Sequence, residues 1–188
     1  MPDKIELNEI SLNILDIVQN SIKANASLVH IYVNISTLNN LLTVIIKDNG
    51  SGFDVRAYEN TNTKNKHKNK HGGYGIPLFK ESAEKTGGRF KISSSIGHGT
   101  EVISTYILNS PCRAPLGDIN ATMETLIFCC SDVDFVYTYE VDGESFTLNT
   151  KEIKEMIGNI PINNSEVSNF VKAYLKENTD DLNQNRIF

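Results

Sequence analysis

No apolar stretch in these 188 residues approaches the ~20 consecutive residues that a bilayer-spanning helix needs, so no transmembrane segment is expected. The amino terminus, Met1-Pro2-Asp3-Lys4-Ile5-Glu6, also lacks the apolar core of a signal peptide. Together these absences lead us to expect a cytoplasmic chain with no membrane partner. Cysteine is scarce. Cys112 and the vicinal pair Cys129 and Cys130 make an odd count without a Cys-x-x-Cys spacing, which indicates neither a disulfide framework nor a zinc site. The vicinal pair ends an apolar run, so core packing is its expected role, with a redox role as the alternative. Excess basic charge is missing too: the formal net charge is -5, which gives no general electrostatic reason to bind nucleic acid or an anionic membrane. No internal repeat is present.

What remains is the composition of a folded protein, 39% hydrophobic and 22% charged, in a chain long enough for one core or for a medium domain with a small appended one. Ile10, Ile14, Ile17, Val18 and Ile22 recur at helical spacing and predict an amphipathic helix over 10–24. Val29, Ile31, Val33 and Ile35 alternate with His30, Tyr32 and Asn34, the pattern of a half-buried strand over 28–35. A second strand, 41–47, runs into the turn Asp48-Asn49-Gly50-Ser51-Gly52. Residues 60–71 are almost free of apolar side chains and carry Lys64, Lys66, Lys68 and Lys70, which reads as a basic loop. Solvation is the first reading of those lysines; contact with phosphates is the second. Pro77 fits the first turn of a helix over 76–86, which Gly87-Gly88 stops. Strands over 89–96 and 100–108 then form a hairpin about Gly97-His98-Gly99.

The pattern breaks near Asn109-Ser110-Pro111, and we expect a first unit over 1–110 and a small α+β unit over 111–188. The second would hold a helix over 116–129, strands over 135–141 and 145–148 joined at Asp142-Gly143, and helices near Lys151 and Ser165 separated by Pro161.

Four local patterns carry chemistry. Asp16, Asn20 and Lys23 share one helical stripe opposite the apolar face, where a carboxylate, an amide and an ammonium could hold a metal ion and phosphate oxygens. A solvated helix face is the competing reading. Asp48 ends an apolar strand and could accept from an exocyclic amino group, while Gly50 and Gly52 let the backbone pass close to a flat ligand; an ordinary turn competes. Gly73, Tyr74, Gly75 and Ile76 put glycines just before a helix whose free amides favour an anion. Gly97-His98-Gly99-Thr100 is a turn with the Thr100 hydroxyl free to donate to phosphate.

Taken in order, the four resemble the boxes of the gyrase, chaperone, histidine-kinase and MutL (GHKL) ATPase superfamily. Asp16 to Ala24 is similar to its asparagine box, Asp48 to Gly52 to its Asp-x-Gly-x-Gly box, Gly73-Tyr74-Gly75 to its lid glycines, and Gly97 to Thr100 to its last box. The stretch from Gly73 through Thr100 is most similar to histidine kinases. The resemblance implies an α/β two-layer sandwich of the Bergerat type: a mixed, mainly antiparallel sheet with helices on one face, here with the small α+β carboxy-terminal extension. It implies ATP and Mg2+ as cofactors, with adenine read by Asp48, magnesium held by Asn20, and phosphates met by Lys23, Gly73, Gly75 and Thr100. Asp16 is the candidate base; glutamate is common at that place in hydrolysing members, and the shorter aspartate puts efficient hydrolysis in question.

About ten residues precede the first helix, too few for the helical hairpin that presents a phosphorylated histidine, so a complete sensor kinase is not expected. His30, His67, His71 and His98 read as structural or solvated. The whole chain, with Leu116-Gly117-Asp118 and Asp134 to Thr138, looks like small stand-alone ATP-binding proteins of anaerobic bacteria, which implies a protein partner and suggests a redox-enzyme subunit. The expected function is a nucleotide-dependent switch or regulator of a partner protein. The alternatives are a stand-alone protein kinase of the anti-sigma type, a slow ATPase, and, last, a nucleic-acid module using Lys64 to Lys70.

Overall fold

Alternating branched residues make six strands: β1 (Leu28–Ser36), β2 (Leu41–Asp48), β3 (Arg89–Ser94), β4 (Thr100–Ile107), β5 (Asp134–Val141) and β6 (Glu144–Asn149). The computed structural model describes residues 9–58, 75–184 and 186–188, and within it one sheet holds all six in the order β3-β4-β2-β1-β5-β6. Every neighbouring pair is antiparallel except β1 and β5, so the sheet is mixed. Helices α1 (Ile10–Lys23), α2 (Gly75–Glu84), α3 (Ile119–Cys129), α4 (Thr150–Ile157) and α5 (Ser165–Asn183) complete an α/β sandwich with helices on one face.

The periodicities explain the layers. Val29, Ile31, Val33 and Ile35 of β1 and Leu42, Val44 and Ile46 of β2 are buried, while His30 and Lys47 between them are exposed. On α1 the buried stripe is Ile10, Ile14, Ile17 and Val18, and the helix stops at Ala24, followed by Asn25 with a left-handed φ of 56°.

The boundary expected at residue 110 does not separate two sheets. Leu28 to Ile35 of β1 pair in parallel with Asp134 to Val141 of β5, and α3 lies in the crossover that a parallel pair requires. Phe135, Tyr137 and Tyr139 consequently join Ile10, Val29 and Ile31 in one core cluster. The carboxy-terminal residues extend the first sheet, because β1 is a central strand with an apolar partner on either side.

Two local expectations need correction. α3 starts at Ile119 rather than 116: Gly117 takes a φ of 78°, and Asp118 caps the helix by accepting from the Ala121 amide at 2.8 Å. Cys129 is exposed rather than packed in the core, since the buried stripe of α3 runs through Met123, Leu126 and Ile127 and continues to half-buried Cys130. Burial, with Cys129 beside it, pushes the Cys130 thiol above its ordinary value, which works against a reactive thiolate.

The core is rich in buried phenols. Burial pushes Tyr106 and Tyr139 up to about 12 and holds Tyr137 well above the ordinary range. A folded-state value above the unfolded one, about 10, means that the folded chain keeps the proton while the unfolded chain loses it, so stability falls as pH rises through that window. Denaturation midpoints are therefore expected to drop steeply from about pH 10 to about 12, with tyrosinate absorbance from these three rings appearing only as the chain unfolds. Tyrosinate formation in a still-folded chain would contradict that packing.

Candidate functional site

β2 alternates Leu42, Val44 and Ile46 into the core and ends on Asp48 with the same parity, so the strand delivers a carboxylate to the helix side of the sheet. Asp48 is 8% exposed and is the only charged side chain among the buried described residues. No cation pairs with it among the described residues. Neutral donors hold it instead: the Ser21 hydroxyl donates to Oδ2 at 2.7 Å, and the Gly50 and Thr100 amides donate to Oδ1 at 2.9 and 3.2 Å. A carboxylate offers about four acceptor sites, so this network leaves one on Oδ2 for a ligand.

That carboxylate lines a cavity of about 90 Å³ between α1, the start of α2 and the sheet. Ile17, Ala24, Ile46, Phe53, Ile76 and Val102 give it apolar walls, and Asn20, Ser21, Asp48 and Thr100 are its polar side chains. Apolar walls with one buried acceptor suit a flat, polar-edged heterocycle that donates a hydrogen bond.

Three backbone segments meet tightly around Asp48. Ser51 donates to the Ala24 carbonyl at 2.8 Å, and Gly97 donates to the Ser51 carbonyl at 2.7 Å. Gly52 and Gly99 both have positive φ, 59° and 74°, and a Cβ on them would lie 2.1 Å from the Ser95 carbonyl oxygen and 2.0 Å from that of Asp48. Gly99→Ala is accordingly expected to cost roughly 3 kcal/mol or more of stability, read as a shift in the urea midpoint. A neutral substitution would mean that the turn is looser than this geometry.

The Asp16, Asn20 and Lys23 stripe divides. Asn20 is half-buried and lines the cavity, whereas Asp16 and Lys23 are exposed along its rim helix. Gly75, the first residue of α2, packs against them: a Cβ there would lie 3.1 Å from the Asp16 Cβ and 3.6 Å from Asn20 Nδ2. The start of α2 is thereby beside Asp16 and Asn20, and a helix N-terminus suits an anion. Gly73, Tyr74, Lys64 to Lys70, His67 and His71 lie outside the described residues. Ile76 lines the cavity. Thr100 sits beside Asp48, with its hydroxyl 3.0 Å from that of Ser94, and so belongs to the carboxylate end of the cavity rather than the α2 end.

Sequence reasoning missed Ser21 and Phe53. Ser21 lies 27 residues from Asp48 in the chain, and a serine inside a helix carries no signal of such a contact. Ser21→Ala is expected to lower stability by about 1–3 kcal/mol, because it leaves a buried carboxylate oxygen short of a donor; thermal denaturation checks it, and an unchanged midpoint would show that water replaces the hydroxyl.

A model of the family described as histidine kinase-, DNA gyrase B-, and HSP90-like ATPase matches residues 7–109, more than half of the chain. An uncharacterized sensor-like histidine kinase of Chloroflexus aurantiacus is 37% identical over 90 residues, a match spanning 45% of this chain and 13% of that protein. Among solved structures, the N-terminal domain of a DNA repair protein superposes with a TM-score of 0.50 at 14% identity, covering 84% of this chain and 59% of that one. The MutL ATPase domain of Aquifex aeolicus, complexed with ADP, gives 0.43 at 17% identity over 80% of this chain and 69% of that one. At 14% identity the likeness to the DNA repair protein domain speaks for the fold alone.

Proposed function

Because this chain belongs to the histidine kinase-, DNA gyrase B- and HSP90-like ATPase family, we propose that it binds ATP with magnesium in the Asp48 cavity and acts as a nucleotide-dependent switch on a partner protein. The observation that carries this reading is the buried carboxylate of Asp48, which three neutral donors hold and which no cation neutralises among the described residues. Its remaining acceptor site matches the amino group of adenine, and the ring lies between the walls formed by Ile17, Phe53 and Ile76. Thr100 serves the base end. The triphosphate then runs toward the start of α2, where Gly75 and Lys23 meet it.

The chain's own donors fit magnesium in one limited way. No group of three histidine, cysteine or acidic side chains able to hold a metal occurs among the described residues. Magnesium bound with a nucleotide needs no such cage, since one or two protein oxygens plus phosphates and water complete its shell. Asn20, half-buried in the cavity next to Gly75, supplies that oxygen. The ion would offset phosphate charge; Asn20 would fix where the phosphates lie.

Switching follows from the same contact. Gly75 packs on Asp16 and Asn20, so a phosphate held there favours the arrangement with the start of α2 against α1, and binding shifts the population of the surface offered to a partner. Asp16 is exposed, and in this reading it would be the base that orients water.

Calorimetry with ATP and magnesium, followed by assay of the same samples for ADP, tests the proposal. Binding with negligible ADP supports the switch. Steady ADP release that disappears in Asp16→Ala would make the chain an ATPase instead. The likeness to a sensor-like histidine kinase favours one second reading, a kinase acting on another protein, which predicts labelled phosphate on a partner. A redox-enzyme subunit is one candidate for that partner.

A further inference from the structure

Ser94 ends β3 as the middle of three consecutive serines. It stands on the parity of Phe90 and Ile92, which pack against the core, and is half-buried where Ser93 and Ser95 are exposed. Its hydroxyl joins the two turns that frame Asp48. The Phe53 amide donates to Ser94 Oγ at 3.0 Å, Ser94 Oγ donates to the Gly99 carbonyl at 2.8 Å, and the Thr100 hydroxyl lies 3.0 Å away.

A hydroxyl has one proton to give and two lone pairs to receive with. The Gly99 carbonyl can only accept, so the Ser94 proton goes there, and the contact between the two hydroxyls forms with Thr100 as its donor. Ser94 is then saturated. The Thr100 proton is held on Ser94, and the lone pairs of Thr100 are what a ligand in the cavity meets. Ser21 is committed in the same sense, since its proton goes to Asp48 Oδ2 at 2.7 Å. The carboxylate end of the cavity therefore offers side-chain acceptors alone, from Asp48, Ser21 and Thr100.

We propose that Ser94 is a positioning residue for base selection: by holding the Thr100 proton it keeps that hydroxyl an acceptor, so the site favours a ring with an amino group at its edge over one with a carbonyl there. Ser94 has this role only if the nucleotide reading holds, since it acts through the ring that Asp48 binds. An adenine amine brings two hydrogens, one for Asp48 and one for Thr100, whereas an oxygen in its place faces an acceptor on both. Without the Ser94 hydroxyl, Thr100 is free to turn and donate into the cavity, which offsets part of that mismatch.

Calorimetry of ATP and of inosine triphosphate, each with magnesium, tests this in the whole chain, because hypoxanthine carries a carbonyl where adenine carries the amine. The parent is expected to bind ATP tighter by roughly 100-fold. Ser94→Ala should narrow that ratio at least about fivefold, and Ser94→Thr, which keeps a hydroxyl, should hold it within about twofold of the parent. In a Thr100→Val background no hydroxyl remains to be turned, so adding Ser94→Ala should move the ratio by no more than about twofold. Thr100→Val alone leaves Ser94 bonded to Phe53 and Gly99 and serves if Ser94→Ala does not fold. It should narrow the ratio, whereas a Thr100 that donated into the cavity would make the same change widen it. A role in packing alone would weaken both nucleotides alike. Ser94→Ala with the parent's ratio, or with an equal effect beside Thr100→Val, would overturn the positioning role and leave the Asp48 reading standing. A parent that binds both nucleotides equally, or neither, would overturn the two together.

Discussion

Asp48→Asn is expected to reduce ATP affinity by roughly 100-fold or more while leaving the fold intact. The hydrogen-bond network explains why so small a change matters. Two amides, those of Gly50 and Thr100, point at Oδ1, so the asparagine oxygen must occupy that place. The new NH2 then falls where Oδ2 was, facing the Ser21 hydroxyl and the position of the adenine amino group. Serine can turn its hydroxyl to accept; the adenine amine cannot, and a donor is left against a donor in a buried site. Calorimetry measures the loss, and a thermal midpoint near the parent's separates it from unfolding. Unchanged affinity would place the base elsewhere.

A chain ended after residue 110 is expected to be insoluble or to lack a cooperative unfolding transition. β1 would lose β5 along Leu28 to Ile35 and become an edge strand of branched apolar residues, which is prone to pair with other chains. The start of α1 would lose two backbone anchors as well, since Ile10 and Ser11 donate to the carbonyls of Pro115 and Leu116 at 3.0 and 2.9 Å. The helix that carries Asn20 and Ser21 is thus held from the carboxy-terminal side. Soluble expression, circular dichroism and thermal melting test this. A soluble truncated chain with a sharp transition would restore the division into two independent units.

The legible part of this protein was whatever is written in local pattern. The strands of β1 and β2 follow from period-two burial, the hairpin of β3 and β4 from its glycine turn, and α2 from Pro77 and Gly87-Gly88. Asp48 was readable for the same reason, an acid placed on the buried parity just before a glycine turn. Contacts between distant segments were not readable. Nothing in Asp134 to Val141 says that it will lie parallel to β1, because a fully buried strand pattern is compatible with a new sheet or an old one. Ser21 met Asp48 only when α1 and β2 came together, and so did the Thr100 amide, a contact that a threonine after a glycine turn does not announce. Cys129 was misplaced because an apolar run in a helix covers more than one face.

The central claim is that a buried carboxylate reads the amino group of adenine. Parallel calorimetric titrations with ATP and GTP, both with magnesium, test it most directly, since guanine presents a carbonyl where adenine presents that amine. The account predicts one ATP site per chain and binding of GTP weaker by roughly 100-fold, an acceptor having been set against an acceptor. Equal affinities, or no heat from either nucleotide, would contradict it.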